Sequence, residues 1–435
     1  MAEERAELPH RVDGALPSPV ASSTADATFP NIDGLRAIAA LSVVICHTVG
    51  ASSLLATGWG SYLVQLRAGV QIFFVISGFV LYRPFARAHL VNRRGPGLAG
   101  YFKRRLFRIF PAYWVVLTIG ALWLHVILFG DFINRLENYV LVQSYFPASF
   151  TGLGPAWTLV IEVAFYVTLP IYATALWHLG RSRRTIAEFV GVFVLFVGGV
   201  LFAAWSSFGN PEGFVGVLPA NLAPFALGMF LAVVHSWAER RSESPRWVRS
   251  LGGHPGVVWL VAAVAWSSIV WAVHYPSALG FSKLPSLQLF EYALLLDVLG
   301  FCIVAPMVLG NQTQGRIRRG LQLRPVIFLG TISYAIYLWH VPVTYKVENV
   351  AQRLHLIHGP LDFNFFAITG LTLAATIPLA IASWLFIEKP FIQVSRLGAK
   401  KYFQSLLSRL TFRSTVTPLA VVPVIGDETT ETAIQ

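Results

Sequence analysis

Arg36 and His47 lie within one apolar run, Gly34 to Leu55. Ionisable side chains at membrane depth cost several kcal/mol and mark pathways or active sites. On a helix, the separation between them advances the chain by ~16 Å and returns it to within ~20° of its starting face. Both side chains therefore share a face, one near a membrane surface and one near mid-depth. That spacing suits a ligand with a charged head and a long thin reactive arm. Arg36 reads either as a snorkelling anchor or as a contact for such a head, and His47 as a packing histidine or a general base.

Three further groups join them. Arg105 and Arg108, with Arg104 beside them, fall three apart in the run Tyr101-Phe102-Lys103-Arg104-Arg105-Leu106-Phe107-Arg108. Guanidinium forks at that spacing share a helix face and hold phosphate bidentately. Lipid-headgroup contact is the alternative. Glu162, in Trp157-Thr158-Leu159-Val160-Ile161-Glu162, sits about 10 Å from the opposite surface. At His47's depth it can hold the imidazole and raise its basicity. The third group is Ser333-Tyr334-Ala335-Ile336-Tyr337-Leu338-Trp339-His340, either an interfacial aromatic belt or a substrate contact. Asp297 is a further buried acid without an assigned role. Gly95, Gly97 and Gly100 spell a dinucleotide fingerprint, but no strand precedes them and the match is discounted.

The elements that must position these residues are membrane helices. The chain of 435 residues is 55% hydrophobic and 12% charged, where a soluble domain carries about 25% charge. Apolar segments of spanning length run near 34–54, 68–85, 109–129, 155–176, 188–205, 217–236, 255–273, 288–309, 326–345 and 363–386. The second and fifth are the shortest, tilted or re-entrant. Cys46 and Cys302 both fall inside apolar spans, which argues against a disulfide framework or a zinc site. No metal is expected.

The net charge of +12 reads as topology and not as nucleic-acid binding. With the N-terminus inside, inner loops hold Arg83 through Arg108, Arg181 to Arg184, Arg240 to Arg249, Arg316 to Arg324 and the basic C-terminal tail. Outer loops hold little beyond Arg67, Arg135, Lys283, Lys346 and Arg353. This asymmetry predicts an all-α polytopic integral membrane protein of about ten transmembrane helices with both termini cytoplasmic. Residues 1–30 read as a disordered tail without a cleavable signal, 31–392 as the transmembrane domain and 393–435 as a cytoplasmic tail.

Together the motifs resemble the membrane acyltransferase-3 family of integral-membrane O-acyltransferases. The resemblance covers roughly residues 31 to 392. It rests on Asn31-Ile32-Asp33-Gly34-Leu35-Arg36 with His47, Gly69 through Phe79 (GVQIFFVISGF) and Arg105 through Pro111. Trp157-Thr158-Leu159 with Glu162, Ser333 through His340, and Glu388-Lys389-Pro390-Phe391 complete it. It implies transfer of an acyl group, most often acetyl, from cytosolic acyl-CoA to a hydroxyl of a sugar-containing acceptor. That acceptor would be an envelope glycan, a glycolipid or a glycosylated metabolite, modified at the bacterial inner membrane. Arg36, Arg105, Arg108 and Arg104 would hold acyl-CoA, a substrate and not a tightly bound cofactor. His47 would be the base, oriented by Glu162, with His340, Tyr337, Tyr334 and Trp157 on the acceptor side and Tyr337 a candidate oxyanion donor. Attack by the acceptor is expected to be direct, with an acyl-enzyme on His47 or Ser77 left open. Where many relatives have Asp, this chain has Gln71, which cannot ionise. Some relatives carry a fused extracytoplasmic esterase-like domain; none is expected here. The rival reading is a transporter of a glycan or amphiphile using His47, Glu162 and Asp297 as a proton relay.

Overall fold

The structure, a computed structural model, describes residues 29–52, 54, 58–146, 152–181, 183–209, 216–272, 285–355, 361–402 and 404. The expected N-terminal tail lies outside the described residues except for its last two, as does the C-terminal tail beyond 404. Among the described residues the regular structure is entirely helical. Lipid offers backbone groups no partners, so each apolar run must satisfy its own hydrogen bonds, and a helix does so within one segment.

In chain order the helices are α1 (Pro30–Ala51), α2 (Gly58–Val64), α3 (Gly69–Leu90), α4 (Leu98–Leu122), α5 (Phe132–Val140), α6 (Trp157–Leu179), α7 (Arg184–Gly209) and α8 (Leu222–Ala238). They continue with α9 (Arg246–Gly253), α10 (Pro255–Ala272), α11 (Ser286–Val308), α12 (Arg316–Leu321), α13 (Arg324–Thr331), α14 (Ser333–Arg353), α15 (Leu361–Ser383) and α16 (Lys389–Leu397). Among the described residues, 8 helices are long and apolar enough to span a membrane, or up to 10 if the bent pairs α9–α10 (73°) and α13–α14 (69°) each count as one. Pro255 explains the first bend, since it disfavours helical backbone at His254 before it.

Two expectations need correction. The third span is Leu98–Leu122 and not 109–129. Its helix runs through Pro111 and stops at Trp123, so Arg104, Arg105 and Arg108 ride on a spanning helix instead of a loop. Their long alkyl stems let them start the helix earlier than hydropathy indicates. The second and fifth segments are not short: α3 has 22 residues and α7 has 26.

α1 lies at the centre, packed on α3, α13, α14 and α15. Small residues make this possible. Gly34 abuts the Leu321 backbone and Gly330 the Asp33 carbonyl, with no room for a Cβ at either. α3 and α8 approach most closely, Gly78 against the Phe225 carbonyl and Gly228 against that of Val75. Without a hydrophobic drive between helices in lipid, such close backbone contact supplies the association energy.

The arginine-rich ends gather at one end of the bundle, and hydrogen bonds tie them together. Arg83 meets Glu239 at 3.1 Å, Arg184 meets Asn92 at 2.8 Å, and Arg240 donates to the Leu90 carbonyl. Asn31 donates to Gln312 at 3.0 Å and accepts from Gln322 at 2.8 Å. Arg318, buried, donates to the carbonyls of Gly252 (2.6 Å) and Pro306 (2.5 Å), capping the ends of α9 and α11. At the end of α8, His235, whose Nδ1 lies 3.5 Å from Glu239 Oε2, and the hydrogen-bonded Arg83 hold the Glu239 carboxyl down at about 2.

Candidate active site

A cavity of about 410 Å³ enters the bundle from this basic end, within the size range of small-molecule sites. α1 contributes Asp33 and Arg36, α3 Phe73 and Ser77, and α4 Arg105 and Arg108. α6 adds Thr158, Glu162 and Tyr166, α14 adds Tyr334 and Tyr337, and α16 adds Arg396. Helical spacing explains the set. Arg105 and Arg108 are three apart on α4, Thr158, Glu162 and Tyr166 succeed one another by four on α6, and Tyr334 and Tyr337 are three apart on α14.

Arg36, Arg105 and Arg108 have no carboxylate within ion-pair distance among the described residues, and the Arg105 Nε is buried without a hydrogen-bond partner. Three guanidinium groups so disposed present unspent donors to an anion. The cavity also contains one carboxylate already in use. Glu162 Oε1 accepts from the Ser77 hydroxyl at 3.1 Å and the Tyr166 hydroxyl at 2.7 Å.

The histidines lie outside this lining. Tyr337 marks the boundary: its hydroxyl bonds Thr158 Oγ1 at 2.7 Å and donates to the Pro155 carbonyl at 3.0 Å, while its ring packs 5.6 Å from that of His340. One helical turn further on, His340 Nε2 meets His47 Nδ1 at 3.3 Å. His47 Nδ1 also faces the Val43 carbonyl at 2.9 Å, and His340 Nδ1 the Ile336 carbonyl at 3.3 Å. A carbonyl only accepts, so both Nδ1 atoms carry the proton. The His47 Nε2 is left with its lone pair free, on an exposed ring, whereas His340 is fully buried. The expected pairing of His47 with Glu162 is thus not formed. Helix α14 interposes Tyr337 between them, and His340 takes the place expected of the acid.

Other expected residues fall variously. Arg36, Arg105, Arg108, Tyr334 and Tyr337 line the cavity; Arg104 is exposed and Trp157 half-buried, both outside the lining. The Tyr334 hydroxyl is engaged on the Ile109 carbonyl at 2.8 Å. Several participants carried no assigned role from sequence, although Thr158 and Tyr166 lie in the same constellation as Glu162. Thr158, Tyr166 and Arg396 line the cavity, and Arg67 is a charged neighbour of His47. Glu388 is buried with one oxygen unpartnered, and its charged neighbours are Arg108 and Arg36. The signal for Glu388 lay in its motif, but its inward turn comes from a π-helical segment, Trp384–Glu388. That segment puts Glu388 on the same face as buried Ser383, five residues earlier, which α-helical spacing would not do. Among the described residues no group of three or more His, Cys, Asp or Glu side chains could hold a metal ion.

The chain is similar to known proteins along most of its length. The acyltransferase domain that defines the acyltransferase-3 family matches residues 29–385. A Bacillus subtilis protein named "Putative peptidoglycan O-acetyltransferase YrhL" is 28% identical over 83% of this chain and 54% of its own length. A Staphylococcus aureus protein named "O-acetyltransferase OatA" is 22% identical over 83% of this chain and 57% of its own. The chain spans little more than half the length of these curated relatives. No solved structure matches it.

Proposed function

This chain belongs to the acyltransferase-3 family, and from that premise we propose that it transfers an acyl group, acetyl in the first instance, from acyl-CoA to a hydroxyl of a cell-envelope glycan or other sugar-containing acceptor. The observation that carries the reading is a cavity lined by three arginines without an ion-pair partner among the described residues, ending at Tyr337, one helical turn from His340, whose Nε2 meets His47 Nδ1 and leaves the His47 Nε2 free. Relatives named as O-acetyltransferases, one of them of peptidoglycan, support the acetyl group and the envelope acceptor.

Arg105, Arg108 and Arg36 would hold the phosphate-rich head of coenzyme A at the basic end, with the pantetheine arm directed toward Tyr337. The acceptor would approach His47 from the opposite side. His47 Nε2 would remove the hydroxyl proton as the alcohol oxygen forms its bond to the acyl carbon. His340 fixes the ring and its tautomer. Glu162 balances the arginines instead of serving the base. The basic end would be cytoplasmic, in a bacterial inner membrane.

The test is purified protein in vesicles with labelled acetyl-CoA and envelope glycans. Wild type should release coenzyme A and label the glycan. Arg105→Ala and Arg108→Ala should each raise KM for acetyl-CoA by about tenfold or more, the worth of a charge-assisted hydrogen bond. Proton-driven movement of a glycan without acyl transfer would instead establish the transporter reading.

A further inference from the structure

The reaction needs an acyl donor and a base to meet, yet Tyr337 and Thr158 close the cavity short of His47. The cavity, however, contains a nucleophile and base of its own. Ser77, half-buried on α3, presents its hydroxyl to the cavity and donates it to Glu162 Oε1 at 3.1 Å. Glu162 is held in turn by the Tyr166 hydroxyl at 2.7 Å, four residues along the same helix. A hydroxyl donating to a base that a third group orients is the geometric signature of an activated nucleophile. Ser77 is followed by Gly78, which lies directly against the Phe225 carbonyl and so sets how closely this part of α3 packs on α8.

The geometry points to Ser77 as a second catalytic residue, the site of a covalent acyl-enzyme, with Glu162 as its base. This rests on the acyl-transfer reading above. Ser77 Oγ attacks the thioester carbonyl, and its proton passes to Glu162. The C–S bond breaks, and the departing thiolate takes the proton from Glu162 to leave as free coenzyme A. The acceptor hydroxyl, losing its proton to His47 Nε2, then attacks the serine ester. The C–Oγ bond breaks and His47 returns the proton to Ser77. Each half-reaction has its own base, one on either side of Tyr337, and neither step needs a further reactant.

The full-length protein in vesicles is incubated with labelled acetyl-CoA in the absence of acceptor, quenched, digested and analysed by mass spectrometry. His47→Ala should accumulate acetyl on the peptide carrying Ser77, because deacylation is blocked while acylation is not. Ser77→Ala should lose that label and fall at least about a hundredfold in transfer while still binding acetyl-CoA, and Glu162→Gln should slow labelling. The adduct in the His47 variant does not depend on how well the Ser77 variant folds. Wild type that transfers acetyl while the His47 variant stays unlabelled, or is labelled elsewhere, overturns the acyl-enzyme and leaves the transfer reading standing. Wild type that neither binds nor consumes acetyl-CoA overturns both.

Discussion

At the residue scale the most informative atom is His47 Nε2. Its availability follows from two backbone carbonyls, those of Val43 and Ile336, which oblige both imidazoles to carry their proton on Nδ1. With His47 as the proposed base, the buried His340 would do for it what a carboxylate does in many hydrolases, but without adding charge to a membrane interior, where charge is costly. His340→Asn removes the acceptor that orients His47. It should lower kcat by about ten- to a hundredfold with KM for acetyl-CoA unchanged, since general-base catalysis as a whole supplies roughly a hundred- to ten-thousandfold. Steady-state kinetics with the acceptor saturating would check this. An unaltered kcat would reduce His340 to a packing residue.

At the element scale the arrangement depends on α14, which carries both the cavity-lining tyrosines and the histidine beyond them. A shift of one residue would rotate Tyr337 off Thr158 and His340 off His47 together. The bend from α13, made possible where Gly330 meets the Asp33 carbonyl, sets that register. Tyr337, Thr158 and the Pro155 carbonyl then form a hydrogen-bonded layer between the cavity and the two histidines. In the proposed transfer the layer would have to open, and its closure would keep water from the thioester. Tyr337→Phe removes both hydroxyl contacts while keeping the ring. It should raise acceptor-independent release of coenzyme A several-fold with acetyl-CoA affinity unchanged. Release at the wild-type rate would show that the hydroxyl contacts do not seal the cavity.

At the scale of the whole molecule, an even number of spans returns the chain to the side on which it began, and the arginine-rich ends cluster at one end. If the bent pairs each cross once, the positive-inside rule predicts that this end faces the cytoplasm. Reporter fusions after residue 404 and at the N-terminus should both report the cytoplasmic side, whereas opposite sides would make one bent pair re-entrant. On the proposed reading, the cavity opens at this same end, where a cytosolic thioester would arrive.

Sequence alone determined the class of the molecule, the approximate spans and the residue types gathered at its centre. Each of these depends on residue type and short-range spacing: apolar runs of spanning length, arginines three apart, a histidine eleven residues after an arginine. It placed Glu162 beside His47 because depth along two helices was the only coordinate available, and depth says nothing about which face each helix turns inward. Tertiary structure decided that. Packing of α14 against α1 sent His340 to His47, contact of α3 with α6 brought Ser77 to Glu162, and the π-helical turn sent Glu388 inward. The start of α4 was likewise invisible to hydropathy, because an arginine on a spanning helix scores as loop until a cavity is there to receive it.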